Sequence, residues 1–232
     1  MLQKIRAVFV AATFIFTISV VIIIMFFYRK KNRAVRKKWA ILQQFIVGFK
    51  LKAKGSFDDQ ARLFVINHQS ILDIVVIEAL FEKDKDIAWV SKKEIFDMPF
   101  LGQSVRLSKM IRIDRGDKRA IVKLLKDAKD RVDNNRLIAI FPEGTRGEGE
   151  KLLKFQIGAK ILAEKLGLIV QPIVIANARN VFDSQNFKVK SGTVVVSYLP
   201  SVNPKADENW YEKLHSDMQD ELTKLLEDNE IY

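Results

Sequence analysis

The chain has 232 residues, 48% of them hydrophobic, with two histidines, no cysteine and a formal net charge of +11. That length holds one sizeable domain plus an anchor. The missing cysteines exclude disulfides, a thiolate nucleophile and a Cys-based zinc site, and two histidines are too few for a His-cluster metal site. The charge is not a nucleic-acid signal, because residues 1–54 carry +12 with no acid and the remainder carries −1. A nucleic-acid binder spreads its cations over a folded face or a recognition helix. Neither a metal nor a nucleic-acid partner is therefore expected.

Taken in order, the chain opens on an apolar run, residues 7–28, with no charged side chain. As a helix it would be about 33 Å long, against a hydrocarbon core of roughly 30 Å. It ends in Tyr28-Arg29-Lys30-Lys31 rather than at a small-residue cleavage site, which favours an uncleaved membrane anchor over a signal peptide. Two cations, Lys4 and Arg6, precede the run, and Arg29, Lys30, Lys31, Arg33, Arg36, Lys37 and Lys38 follow it. The positive-inside rule then puts everything downstream on the cytoplasmic face of the membrane, where these cations meet anionic lipids. The second apolar stretch, residues 39–49, is too short to span. It lies in the interface or pairs with the first helix within one leaflet. The length of the first run fits a true span, and a monotopic hairpin remains the alternative. Residues 1–54 thus read as an anchor and 55–232 as the globular domain.

In the globular domain short apolar runs alternate with amphipathic ones. Strands are expected at 62–66, 87–90, 110–113, 136–141, 168–175, 186–190 and 193–198, and helices at 69–81, 117–134, 152–166 and 207–228. Ile121, Leu124, Leu125, Ala128 and Val132 keep helical spacing, as do Trp210, Leu214, Met218, Leu222, Leu225 and Leu226. These are core stripes. The alternation argues for an α/β fold, a mainly parallel central sheet with helices on its faces. The last two strands, joined by Ser191-Gly192, read as an antiparallel hairpin at the edge.

Two stretches carry chemistry. Asn67-His68-Gln69-Ser70-Ile71-Leu72-Asp73 puts an imidazole at the end of one strand and a carboxylate in the following helix. The carboxylate can hold one ring nitrogen and leave the other free to take a proton from a hydroxyl. His215, in a charged helix pattern, reads as a solvated surface residue. The second stretch is Phe141-Pro142-Glu143-Gly144-Thr145-Arg146. Pro142 stops a strand, Gly144 permits a tight turn, and Arg146 offers a guanidinium able to take two phosphate oxygens. By itself this is either an anion-binding turn at a strand's carboxyl end or a plain turn with a surface arginine.

Together the two stretches resemble the NHxxxxD and FPEGTR blocks of the glycerolipid acyltransferases. Ser91-Lys92-Lys93-Glu94-Ile95, with Pro99 and Gly102, is similar to that family's lysine block. Ile113-Asp114-Arg115 resembles the end of its arginine block, and Val170-Gln171-Pro172-Ile173 its late proline block. The resemblance covers residues 62–175 and implies a glycerophosphate-acyltransferase-like fold. It also implies transfer of a fatty acyl group from a thioester, acyl-CoA or acyl carrier protein, to the sn-2 hydroxyl of a 1-acylglycerol 3-phosphate. The thioester is then a co-substrate, and no cofactor is expected. Other acceptors, glycerol 3-phosphate or another lysolipid, belong to the same family; a non-catalytic membrane-tethered binding protein is the reading from a different class.

Carried over residue by residue, the resemblance makes His68 the general base and Asp73 its orienting carboxylate. Arg115, Arg146 and Lys92 hold the acceptor phosphate, while Glu143, Gly144 and Thr145 shape the turn, with Glu143 orienting the cations. Lys109 and Arg112 depart from the arginine block and would add cations beside the phosphate. Ser70 reads as a helix-starting residue, not as an acyl carrier. Backbone amides at the start of the Gln69 helix are candidate oxyanion donors. Phe96, Met98, Pro99 and Phe100 either line an acyl groove or belong to the core.

Overall fold

The computed structural model describes residues 2–28, 32–81 and 85–228. The cations Arg29, Lys30 and Lys31 lie outside the described residues. Two helices open the chain, α1 (Leu2–Phe27) and α2 (Asn32–Val47). The order is then β1 (Phe49–Lys54), β2 (Leu63–Ile66), α3 (Leu72–Leu80), β3 (Ile87–Lys92), α4 (Lys93–Asp97), α5 (Leu101–Leu107) and β4 (Ile111–Ile113). There follow α6 (Ala120–Asp133), β5 (Leu137–Ile140), α7 (Gly158–Leu166), β6 (Val170–Ala176), α8 (Ala178–Val181), β7 (Phe182–Asp183), β8 (Lys188–Val189), β9 (Gly192–Tyr198) and α9 (Trp210–Glu227).

Seven strands form one sheet in the order β1-β9-β6-β2-β5-β3-β4. Its pairings are parallel except for β6 with β9. The expected mainly parallel sheet is therefore present. Both its faces are covered, so β2 (LFVI) and β5 (LIAI) are buried at every position. Phe64, Ile66, Ala139 and Ile173 face one core, which includes α3, and Leu63, Val65, Ile138 and Ile140 face the other, under α6, α7 and α9. The stripe of α9 that begins at Trp210 packs there as the spacing predicts.

The expected hairpin at 186–198 is not formed. β8 pairs with β7 in a separate ribbon, and β9 lies inside the sheet, parallel to β1 and antiparallel to β6. The strand that covers β9 is β1, whose sequence FKLKAK alternates apolar and cationic side chains. Its lysines made it look like a continuation of the basic flank, so a strand of the sheet falls within the 54 residues read as the anchor. The alternation suits an edge strand, because lysines discourage further pairing.

α1 runs along the domain. At its start the Arg6 guanidinium donates to the Val47 carbonyl at 2.7 Å and to Ser191 Oγ at 3.1 Å. Toward its end Ile18, Val21 and Met25 pack with Trp39, Leu101 and Leu107. Phe9, Phe16, Ile23 and Phe27 of α1 are exposed, as are Ile41 and Phe45 of α2. α2 is amphipathic in an unusual way: its inward face buries Arg33 and Arg36. Arg33 meets Glu78 of α3 at 2.6 Å, and Arg36 meets Asp86 at 2.6 Å and Glu78 at 3.6 Å. Buried charges persist only when paired, so these contacts fix α2 to the domain.

Candidate active site

β2 and β5 are neighbours, and their carboxyl ends bring the two sequence stretches together. Asn67 leaves β2 and bonds to Ile175 as a peptide would, its Nδ2 donating to the Ile175 carbonyl at 2.9 Å and its Oδ1 accepting the Ile175 amide at 2.7 Å. This extends the β2–β6 ladder by one side chain and aims the next residue out of the sheet. That residue, His68, has its Nδ1 2.8 Å from Asp73 Oδ2; Asp73 is fully buried and the His68 side chain is 17% exposed.

Asp73 does more than hold the ring. The same oxygen accepts the amides of Gln69 at 2.7 Å and Ser70 at 2.8 Å. α3 consequently starts at Leu72 rather than at Gln69. The amides proposed as oxyanion donors are thus committed to Asp73, which corrects that expectation. Ser70 is buried, and its hydroxyl donates to the Phe182 carbonyl at 2.7 Å. The same hydroxyl oxygen accepts the Leu72 amide at 3.3 Å, at the start of α3.

Glu143 differs from the reading that it orients cations. Its Oε1 accepts the His68 amide at 2.7 Å and its Oε2 the Leu153 amide at 2.8 Å. The Gly147 amide returns to the His68 carbonyl at 2.8 Å. Glu143 therefore clamps the histidine's own backbone to the second turn, and no sequence spacing could have shown it. Burial is the largest influence on this carboxyl and pushes its pKa above the usual range, while the two amides pull the other way.

The cationic residues surround a cavity of about 750 Å³ lined by His68, Lys92, Arg115, Gly144, Thr145 and Arg146. Arg115 crosses directly over Gly144: a Cβ there would lie 1.6 Å from Arg115 Nη2, and the backbone has a φ of +64°. The positive φ favours glycine at 144, and a side chain there would also push the end of Arg115 aside. Arg146 Nη1 donates to Ser184 Oγ at 2.6 Å. Of the two departures from the arginine block, neither Lys109 nor Arg112 lines this cavity. Lys109 turns the chain with a φ of +50°, and its carbonyl accepts Arg131 and Arg136. Arg112 lies 3.8 Å from Asp114.

The same cavity continues along apolar side chains, among them Phe14, Ile18 and Val21 of α1, Trp39 of α2, and Ile71 and Val105. Of the two alternatives for residues 96–100, acyl groove or core, the groove is not the one seen. Phe96 is buried core, and Met98 and Phe100 are exposed outside the cavity lining. His215 is half-buried rather than fully solvated: its Nε2 lies 3.2 Å from the Leu153 carbonyl, and its ring meets Phe155 edge-on. The helix expected at 152–166 begins only at Gly158, and the segment 147–157 before it passes between α9 and the site. Leu152 N donates to Gln219 at 2.8 Å and Tyr211 donates to the Gln156 carbonyl at 2.7 Å, which ties the segment to α9.

Comparison with known proteins agrees with the motif resemblance. The family model described as Acyltransferase matches residues 49–176. A 1-acyl-sn-glycerol-3-phosphate acyltransferase of Helicobacter pylori is 41% identical over 225 residues, 96% of this chain and 94% of that one. One of Pseudomonas aeruginosa with the same name is 28% identical over 78% of this chain and 71% of its own length. Among solved structures, the 1-acyl-sn-glycerophosphate acyltransferase PlsC from Thermotoga maritima superposes with a TM-score of 0.78 over 98% of this chain and 96% of its own, at 21% identity. The chain belongs to the acyltransferase family.

Proposed function

We propose that the protein transfers a fatty acyl group from a thioester, acyl-CoA or acyl carrier protein, to the sn-2 hydroxyl of a 1-acylglycerol 3-phosphate, giving phosphatidic acid. The observation that carries this reading is a single cavity whose wall includes a carboxylate-held imidazole, a group of cations and a long apolar surface. The cations suit a phosphomonoester, and the apolar surface suits acyl chains. The name of the Helicobacter pylori relative, at 41% identity, supports the same acceptor.

In this mechanism His68 Nε2 accepts the proton of the acceptor hydroxyl as its oxygen attacks the thioester carbon. Asp73 holds Nδ1–H and stabilises the imidazolium. A C–O bond forms, the C–S bond breaks, and the proton passes from His68 to the departing sulfur. An alcohol does not ionise near neutral pH, whereas an ordinary imidazole, with a pKa of about 6.5, can take its proton during attack. Arg115, Arg146 and Lys92 hold the phosphate so that the hydroxyl meets the ring. The engagement of Ser70 by Phe182 supports direct transfer rather than an acyl-enzyme.

The outward apolar face of α1 and α2 meets the membrane. Because α1 touches the domain at both its ends, the pair lying in one leaflet fits the contacts better than a helix standing across the bilayer. The domain then faces the cytoplasm beside that leaflet, and a lysolipid can reach the cavity without leaving the membrane.

The test is transfer of a labelled acyl group in vesicles containing lysophosphatidic acid, glycerol 3-phosphate or another lysophospholipid. Wild type should label lysophosphatidic acid preferentially, and His68→Ala should be silent while still binding vesicles. Equal turnover of glycerol 3-phosphate, or full activity of His68→Ala, would overturn the assignment.

A further inference from the structure

The base has a neighbour that none of the motif roles uses. The ring of Phe141 lies on the His68 imidazole with centroids 4.0 Å apart and planes 9° from parallel. Behind Phe141, the indole of Trp89 is stacked at 5.1 Å and 26°. Trp89 is in turn fixed, because its Nε1 donates to Glu78 Oε1 at 2.9 Å. Glu78 is the carboxylate that pairs with Arg33 and Arg36 of α2. A stack of three rings therefore runs from the imidazole to a buried ion cluster that also fixes the N-terminal helices.

We propose that Phe141 is a positioning residue for the acyl-transfer base, holding the plane of His68 and stabilising its protonated form through the face of the ring. The geometry gives two reasons. Asp73 holds the imidazole at one nitrogen only, and a ring held at one point can still swing. A parallel neighbour at van der Waals distance removes that swing and fixes where Nε2 points. The electron-rich face of an aromatic ring also attracts a cation more strongly than a neutral group. The imidazolium formed during transfer gains from the stack more than the neutral imidazole does, so the stack favours proton acceptance. A phenylalanine serving only to fill the core needs no coplanarity with the imidazole.

The charged groups around His68 are accounted for. Asp73 holds Nδ1 and Glu143 holds the backbone amide. Arg36 and Glu78 from α2 and α3, Lys92 from β3, Arg115, Asp117 and Lys118 before α6, and Arg146 from the second turn share the cavity wall. Substituting Phe141 changes none of these charges. A shift in the pH profile of a Phe141 variant is therefore assignable to the stack.

This inference rests on His68 being the proton acceptor, and the experiment separates the two. The full-length chain in lipid vesicles is assayed as wild type, His68→Ala, Phe141→Leu and Phe141→Tyr, with thermal unfolding followed for each. Phe141→Leu should lower kcat about tenfold, leave KM for the acceptor within about twofold, and move the acid limb of the pH–rate profile to lower pH. Phe141→Tyr, which keeps the ring face, should recover most of the lost rate. The proposal is overturned if Phe141→Leu keeps both kcat and the acid limb, if only KM changes, or if Phe141→Tyr loses as much as Phe141→Leu. Should Phe141→Leu fail to fold, Phe141→Met is judged by the same criteria. Full activity in His68→Ala would remove the base assignment itself; a silent His68→Ala beside an unaffected Phe141→Leu removes only the role of the stack.

Discussion

The wall of the cavity has two regions that bind by different physics. Lys92, Arg115 and Arg146 supply fixed charge around Gly144, each from a different segment of the chain. Phe14, Ile18, Val21, Trp39, Ile71 and Val105 supply apolar area, much of it from the two N-terminal helices. A charge-assisted bond depends on one donor in one place. Apolar contact is a sum over many small contributions. The polar region should therefore be sensitive to single substitutions, and the apolar region should tolerate them and change preference instead. The two N-terminal helices thus supply part of the cavity wall as well as the proposed contact with the membrane.

The largest effect should come from the group between the two regions. His68→Ala is expected to lower kcat by about 10²–10⁴-fold in a vesicle assay while vesicle binding is kept. Asp73→Asn should fall in the same range, since it also disturbs the Gln69 and Ser70 amides that Asp73 accepts. Retained kcat in both would mean that the imidazole is not the base.

Next come substitutions in the cationic wall. Arg115→Ala and Arg146→Ala should each raise KM for the lysophosphatidic acid roughly 10- to 100-fold, as expected for a lost charge-assisted hydrogen bond, with the smaller change in kcat. Gly144→Ala should resemble Arg115→Ala, because its new methyl would displace that guanidinium. If Gly144→Ala left KM unchanged, the crossing of Arg115 over the turn would have no functional weight.

A substitution in the apolar wall should have a different signature. Val21→Trp narrows the cavity beside α1 and is expected to reduce use of the longest acyl chains, with shorter ones handled within about threefold of wild type. Competition between donors of different length reads this directly. A uniform loss across all lengths would show that the α1 side of the cavity is not filled during turnover.

The smallest effect concerns a residue beside the base. Ser70→Ala removes a buried hydroxyl that donates to the Phe182 carbonyl. It should cost stability of about 1–3 kcal/mol, measured by denaturant unfolding, with kcat within about twofold. A dead but stable Ser70→Ala would instead point to an acyl-enzyme.

Particular residues show why some of this was legible in the chain and some was not. The 67–73 and 141–146 stretches are short, and their chemistry depends on residues close in sequence, so His68 and Asp73 could be paired before any fold was known. Glu143 could not be assigned in the same way. Its two partners are the amides of His68 and Leu153, and a backbone amide has no signature in sequence. The half-burial of His215 is hidden for a related reason, since a charged helix pattern does not reveal that segment 147–157 crosses one of its faces. The strand Phe49–Lys54 was missed because its lysines continue the composition of the basic flank, while its partner β9 lies more than 130 residues away.

Composition and hydrophobic period by themselves determined the α/β class, the apolar first helix and the concentration of positive charge before residue 55, and the 67–73 and 141–146 stretches stood out through their resemblance to family motifs. These are local properties, set by side chains within a few turns of one another. The tertiary structure alone decided that β1 completes the sheet, that Arg33 and Arg36 fold inward onto Glu78, and that Trp89 and Phe141 stack behind the imidazole. Each of those depends on groups far apart along the chain, and their contact is fixed by strand order and packing rather than by spacing.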